Sequence, residues 1–210
     1  MPTRSGGRGF RRPLAALCSA LGAAALAAAT LPLATAARTY SDGPPPGHSG
    51  GFGQPTCHAC HGDLPLNGGP GTLRLAGLPK TYEPGARYTL TVSLNQPDVR
   101  RAGFQLAARR RDRGSDDAPS QAGRLAAVDD RATIVETADP AVQYAQHTEA
   151  GSRLEMPGHA QWTVEWWAPT EDAGDVIFHL VGNAANDDDS EFGDQIYADS
   201  VVIGNSGIRD

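Results

Sequence analysis

The stretch Arg87-Tyr-Thr-Leu-Thr-Val-Ser-Leu94 alternates strictly between polar residues and apolar or aromatic ones. Its apolar set is Tyr88, Leu90, Val92 and Leu94. This period of two is typical of a strand with one buried face. Residues 160–167 repeat the pattern, with Trp162, Val164 and Trp166 on one side and Pro169 closing the run. We therefore predict two half-buried strands, with Trp162 and Trp166 as core residues.

Further short runs with strand character follow the same logic. They are residues 72–75, 102–108, 124–128, 133–135, 175–181 and 195–203. Gly, Pro and Asp turns separate them, and no long helical period occurs after residue 36. The pattern predicts an all-β protein, an antiparallel β-sandwich over residues 71–210.

The N-terminus reads as a processing segment. Four Arg and no acidic residue occur in residues 1–36, and an uncharged Ala/Leu-rich run at 14–33 leads to Ala34-Thr-Ala36. This predicts a signal peptide over residues 1–36, export to the periplasm or cell surface, and loss of Cys18. An uncleaved run of this length would instead anchor the chain in a membrane.

Charge limits the partners. The chain has 210 residues, is 40% hydrophobic and carries a formal charge of -6. Without residues 1–36 the net charge falls to about -10, because the four charged residues of this segment are all arginines. Nucleic acid and anionic lipid surfaces are therefore not expected as partners.

A Gly/Pro/Ser-rich segment, residues 37–55, precedes the cysteine motif and predicts an extended tether. Residues 56–70 follow as a turn-rich loop. This loop holds Cys57-His-Ala-Cys-His61, a C-x-x-C-H run. Two thiols at this spacing can form thioethers with one haem, and the following His61 is then placed as an axial iron ligand. The alternatives are a Cys57–Cys60 disulfide and a zinc site that uses both thiols with His58 and His61.

The sixth iron position decides the chemistry of a haem. His147 lies in the run 144–151, which we interpret as an irregular loop, and loops readily bring a ligand to a neighbouring segment. We predict His147 as the second axial ligand. Met156, His179 and an open position are the alternatives.

Two charged runs allow further, weaker hypotheses about a cation site and a docking surface. Residues 186–194 contain several carboxylates and suggest Ca²⁺ as a minor alternative, although their spacing departs from the EF-hand loop. Residues 109–121 are rich in Arg and predict a solvated hairpin tip, or a basic docking patch. No hydrolase or phosphate-binding motif occurs, so we do not expect an enzyme.

Several runs resemble a known family. They are residues 43–45 with the motif at 57–61, Tyr82-Glu-Pro-Gly85, Ala102-Gly-Phe-Gln105, 144–148, 162–169, and 182–186 with Gly193-Asp-Gln-Ile-Tyr197. In order and spacing they resemble bacterial secreted proteins with a Reeler-like domain, the choice-of-anchor group, in a version that carries C-x-x-C-H. The resemblance spans about residues 40–204. It implies an immunoglobulin-like sandwich at the cell surface or in the periplasm, and it says little about activity.

Together these observations predict an exported monohaem c-type cytochrome with a haem-bearing N-terminal loop on a Reeler-like sandwich. Cys57 and Cys60 would hold haem c, and His61 and His147 would bind its iron for one-electron transfer with redox partner proteins. The rival hypotheses are a non-catalytic adhesion module and a five-coordinate haem sensor or peroxidase-like protein. The oligomeric state is left open.

Overall fold

The computed structural model describes residue 1 and residues 40–111, 120–138, 141–171 and 173–205. The chain divides into two units, Met1–Ala36 and Ala37–Asp210. The predicted signal peptide and most of the Arg-rich loop lie outside the described residues. Within the described residues, none of the helices is long and apolar enough to cross a membrane.

The described residues form ten strands and two short helical turns. The strands are β1 Thr72–Ala76, β2 Thr81–Tyr82, β3 Arg87–Asn95, β4 Arg101–Arg110, β5 Arg124–Ala127, β6 Ala132–Glu136, β7 Gln143–His147, β8 His159–Trp167, β9 Val176–Ala185 and β10 Gln195–Asn205. The helical turns are a 3₁₀ turn at Cys57–Ala59 and α1 at Glu149–Ser152.

Two sheets face each other. One has four strands in the order β1-β3-β8-β5, and the other has six in the order β2-β10-β9-β4-β7-β6. All pairings are antiparallel except that of β2 with β10. The predicted all-β antiparallel sandwich is confirmed.

The core lies between the sheets and is built on the alternation seen in the sequence. Leu90, Val92 and Leu94 of β3 are fully buried, as are Trp162 and Trp166 of β8. Each indole N–H is satisfied by a backbone carbonyl: Trp162 Nε1 donates to Gly151 O and Trp166 Nε1 to Ala122 O, both at 2.9 Å. Both tryptophans are core residues, as predicted.

Residues 40–67 pack against the six-stranded sheet: residues 45–54 cover its outer face, and Asn67 N donates to Ile196 O of β10 at 2.9 Å. Gln105 points to that face, because its neighbours Phe104 and Leu106 point into the core. Its side chain accepts a hydrogen bond from His48 N at 2.6 Å and donates one to Pro45 O at 3.0 Å. Further along, Gln54 Nε2 donates to Tyr144 OH at 2.6 Å.

This packing differs from the predicted free tether. At Gly51, an added Cβ would come within 2.2 Å of the His179 ring, so glycine allows the segment to approach the sheet closely. The Gly/Pro/Ser-rich composition suggested a flexible segment, whereas in the structure its small residues allow close contact with the sheet.

Arg109 belongs to β4 and is buried, with 3% of its surface exposed. Its guanidinium donates to Tyr144 OH and lies 5.4 Å from the centre of the Phe52 ring. The interpretation of residues 109–121 as a solvated tip is therefore wrong for Arg109, because residues 40–67 cover it. Residues 112–119 lie outside the described residues.

Candidate functional site

The C-x-x-C-H run opens with a single 3₁₀ turn. Thr56 caps it: its hydroxyl accepts a hydrogen bond from His58 N at 3.2 Å, and His61 N donates to Cys57 O at 3.0 Å. The imidazole of His58 contacts Leu64 O at 2.9 Å through Nε2. This holds His58 against its own loop.

A cavity of about 720 Å³ lies beside this turn. Cys57, Cys60 and His61 line it from the loop, and His147 lines it from the six-stranded sheet. His48 also lines it. The volume falls within the range of roughly 300–1,000 Å³ that is typical of ligand pockets. The four residues predicted to hold haem thus meet at one cavity.

The wall of the cavity combines small, apolar and acidic residues. Pro44, Pro45, Ala102, Gly103 and Ala185 supply the small or apolar part. The acidic residues are Glu149, Asp187, Asp188, Asp189, Glu191 and Asp194, and the cation among the lining residues is Arg101. The negative excess favours a positively charged group inside the cavity.

Both thiols are unpaired in the structure, with Cys57 half-buried and Cys60 exposed. Burial raises the pKa of the Cys57 thiol to about 12. Among the described residues, no group of three or more His, Cys, Asp or Glu side chains is placed to hold a metal ion. A haem iron needs at most two protein ligands, because the porphyrin supplies four.

His61 contacts a buried carboxylate. Its Nδ1 lies 2.7 Å from Asp194 Oδ2, and Asp194 has only 1% of its side chain exposed. The same carboxylate accepts hydrogen bonds from Asn186 N at 3.1 Å and from Asn183 Nδ2 at 3.3 Å. Asn183 also lines the cavity, and its buried Oδ1 has no hydrogen-bond partner in the described residues.

His147 is the last residue of β7, so its assignment to an irregular loop was wrong. Phe104 N donates to its Nδ1 at 3.1 Å, and its Nε2 lies 3.1 Å from Tyr40 O. Burial lowers the pKa of His147, which favours the neutral imidazole that metal ligation requires. A Cβ on Gly103 would come within 2.5 Å of the His147 ring, so this glycine makes room for the imidazole.

The other predicted ligands lie elsewhere. Met156 is exposed, and His179 packs edge-on against Phe52 at 5.1 Å on the sheet surface. Neither lines the cavity. His48 does line the cavity, and its Nδ1 contacts Pro45 O at 3.1 Å.

The acidic loop, residues 186–194, is held by one ion pair with β4 and by hydrogen bonds within the loop. Asp187 pairs with Arg101 at 2.7 Å, and Asp188 accepts hydrogen bonds from Ser190 N and Oγ at 3.0 and 2.8 Å. These bonds to Ser190 lower the pKa of Asp188. The loop is organised by internal contacts, as an Asx-type turn is.

Asp194 and Asn183 are the residues of this site that the sequence analysis did not connect to the motif. Asp194 appeared there only in the calcium hypothesis and in the run 193–197 of the family resemblance. Its place at the end of the acidic run 186–194, directly before β10, gave no indication of a contact with His61.

No protein-family model matches the chain, and no curated protein matches it. Among solved structures, it is similar to the human F-spondin reeler domain, with 23% identity and a TM-score of 0.42 over 63% of this chain and 88% of that one. A second fragment of that domain gives 25% identity and a TM-score of 0.41, over 64% and 91% of the two chains. A cohesin module of a Clostridium perfringens family 33 glycoside hydrolase gives 8% identity and a TM-score of 0.39, over 64% and 94%.

Proposed function

We propose that the chain is an exported monohaem c-type cytochrome that transfers single electrons. The observation that supports this best is the shared cavity, in which both motif thiols, His61 and His147 line one space of ligand size. The unpartnered Asn183 Oδ1 in its wall also suits an occupied cavity, since buried acceptors are normally satisfied.

The proposed role of each residue is as follows. Cys57 and Cys60 would hold the porphyrin as thioethers, and His61 would be an iron ligand. When bound, the haem supplies a one-electron iron couple. Pro44, Pro45 and Ala102 line the cavity and would offer apolar contacts to the ring, while the carboxylates around the cavity would favour the more positive oxidised iron.

The same acidic residues indicate the kind of redox partner. A protein with a basic docking surface would be steered towards this face, and the interaction would weaken as salt concentration rises. The adhesion module and the five-coordinate haem protein are the rival proposals.

The test is production of the full chain in a host with a cytochrome c maturation system. We expect an intact mass equal to the polypeptide plus one haem, a pyridine haemochrome spectrum of the c type, and a haem-stained band after denaturation. A correctly exported protein with the mass of the polypeptide alone and no Soret band would contradict the cytochrome proposal and leave the adhesion module.

To act as the proposed sixth ligand, His147 would have to change tautomer and give up its contacts with Phe104 N and Tyr40 O. In the structure Phe104 N donates to Nδ1 and Nε2 lies 3.1 Å from Tyr40 O, contacts that suit a proton on Nε2. Phe104 O lies 3.3 Å from Nδ1 and can accept a proton placed there, at the cost of the hydrogen bond from Phe104 N. The tautomer with Nδ1–H bonded to this carbonyl leaves Nε2 for iron, which is the usual arrangement around a metal-bound histidine.

We expect His147→Ala to convert a six-coordinate haem into one that binds carbon monoxide, with affinity for the reduced protein raised on the order of tenfold or more. His48→Ala is the matched control, because His48 lines the same cavity. Titration with carbon monoxide and electron paramagnetic resonance measure the change. If only His48→Ala produces it, His48 is the ligand; if the parent protein already binds carbon monoxide freely, the site is five-coordinate.

A further inference from the structure

Asp194 carries a buried negative charge. Its side chain is 1% exposed, and its neutral hydrogen-bond donors are Asn183 Nδ2 and Asn186 N. Burial of a carboxylate is unfavourable unless charge or hydrogen bonds compensate it. The remaining polar neighbour is His61 Nδ1, which lies 2.7 Å from Asp194 Oδ2. This contact is close but does not have the angle of a hydrogen bond, so His61 Nδ1 has no hydrogen-bond partner among the described residues.

We propose that Asp194 is a positioning residue that fixes His61 for iron and lowers the reduction potential of the haem. This inference rests on the proposed cytochrome function. A small rotation of the imidazole would align Nδ1–H with Asp194 Oδ2, which already lies 2.7 Å away. With its proton on Nδ1, the neutral ring carries none on Nε2, which is then available to the metal. Once formed, this hydrogen bond would also fix the rotation of the ring.

The effect on potential follows from charge. A carboxylate bonded to Nδ1–H makes the imidazole a stronger electron donor, and its negative charge stabilises oxidised iron more than reduced iron. Because Asp194 is buried, solvent screens this interaction less than it screens the exposed acids of the same loop.

Asp194→Asn tests the proposal. The Asn side chain can still accept from Asn186 N, but its amide N–H groups donate and cannot accept the proton of Nδ1. We expect the reduction potential to rise by at least an amount that corresponds to a tenfold change in the electron-transfer equilibrium constant, about 59 mV for one electron. Spectroelectrochemical titration measures it.

Asp189→Asn is the matched control. Asp189 lines the same cavity and is exposed, and its φ of 61° suits asparagine. It removes the same charge without touching His61, so we expect less than half of the shift seen with Asp194→Asn. Equal shifts in the two variants would overturn the proposal, since they would reflect net charge alone.

A second measurement does not depend on haem. In the apo protein, nitrogen-15 chemical shifts of the His61 ring should show a proton on Nδ1 and none on Nε2 at a pH where the ring is neutral. The Nε2–H tautomer in the parent protein would overturn the proposed hydrogen bond. If haem never attaches but Nδ1–H is observed, the cytochrome function fails while the Asp194–His61 contact stands.

Discussion

Cys57→Ser/Cys60→Ser is expected to remove covalently attached haem completely while the sandwich remains folded. A serine hydroxyl does not replace the thiol in thioether formation, so neither point of attachment survives. The core is unaffected, because Cys57 is half-buried, Cys60 is exposed and neither packs between the sheets. Haem staining after denaturation and intact mass measure attachment, and thermal unfolding of the apo protein measures the fold.

His58→Ala is the control inside the motif. The His58 ring contacts Leu64 O and does not line the cavity, so this variant should retain the haem content of the parent. A double serine variant that still carries covalent haem would disprove the assigned attachment sites. A variant that no longer folds would show that the cysteines have a structural role that their position outside the core does not explain.

Trp166→Ala is expected to lower the free energy of unfolding by about 3–5 kcal/mol, the range for removing a large aromatic side chain from a core. Trp166 is fully buried, and its ring packs against Tyr82, Tyr88 and Phe178 at centroid distances of 5.6, 5.6 and 5.0 Å. The loss of its indole N–H also leaves the carbonyl of Ala122 without this donor. Urea unfolding of the apo protein measures the change.

Trp167→Ala provides the comparison at the adjacent position. Trp167 points to the opposite face of β8, is 40% exposed and has the guanidinium of Arg124 4.3 Å from its ring centre. Loss of this exposed cation–π contact should cost about 0.5–1 kcal/mol. Equal losses for the two tryptophans would contradict the assignment of Trp166 to the core and Trp167 to the surface.

The local alternation of apolar and polar residues was sufficient to predict most strands. The alternation in β3 and β8 predicted which residues are buried, because one face of each strand meets the core and the other meets solvent. It failed for β7, whose Gln143-Tyr-Ala-Gln-His147 shows no apolar face. Both faces of β7 are covered, and the polar Gln146 and His147 are buried under residues 40–67.

The sequence by itself determined the C-x-x-C-H spacing, the alternating strands and therefore the sandwich, because each depends on residues only a few positions apart. Only the tertiary structure decided that residues 40–67 pack on the sheet, that His147 and His48 share a cavity with the motif, and that Asp194 contacts His61. These contacts join residues far apart in the chain. Strand order and the coverage of each sheet face determine which residues come into contact. Short-range periodicity carries no information about either.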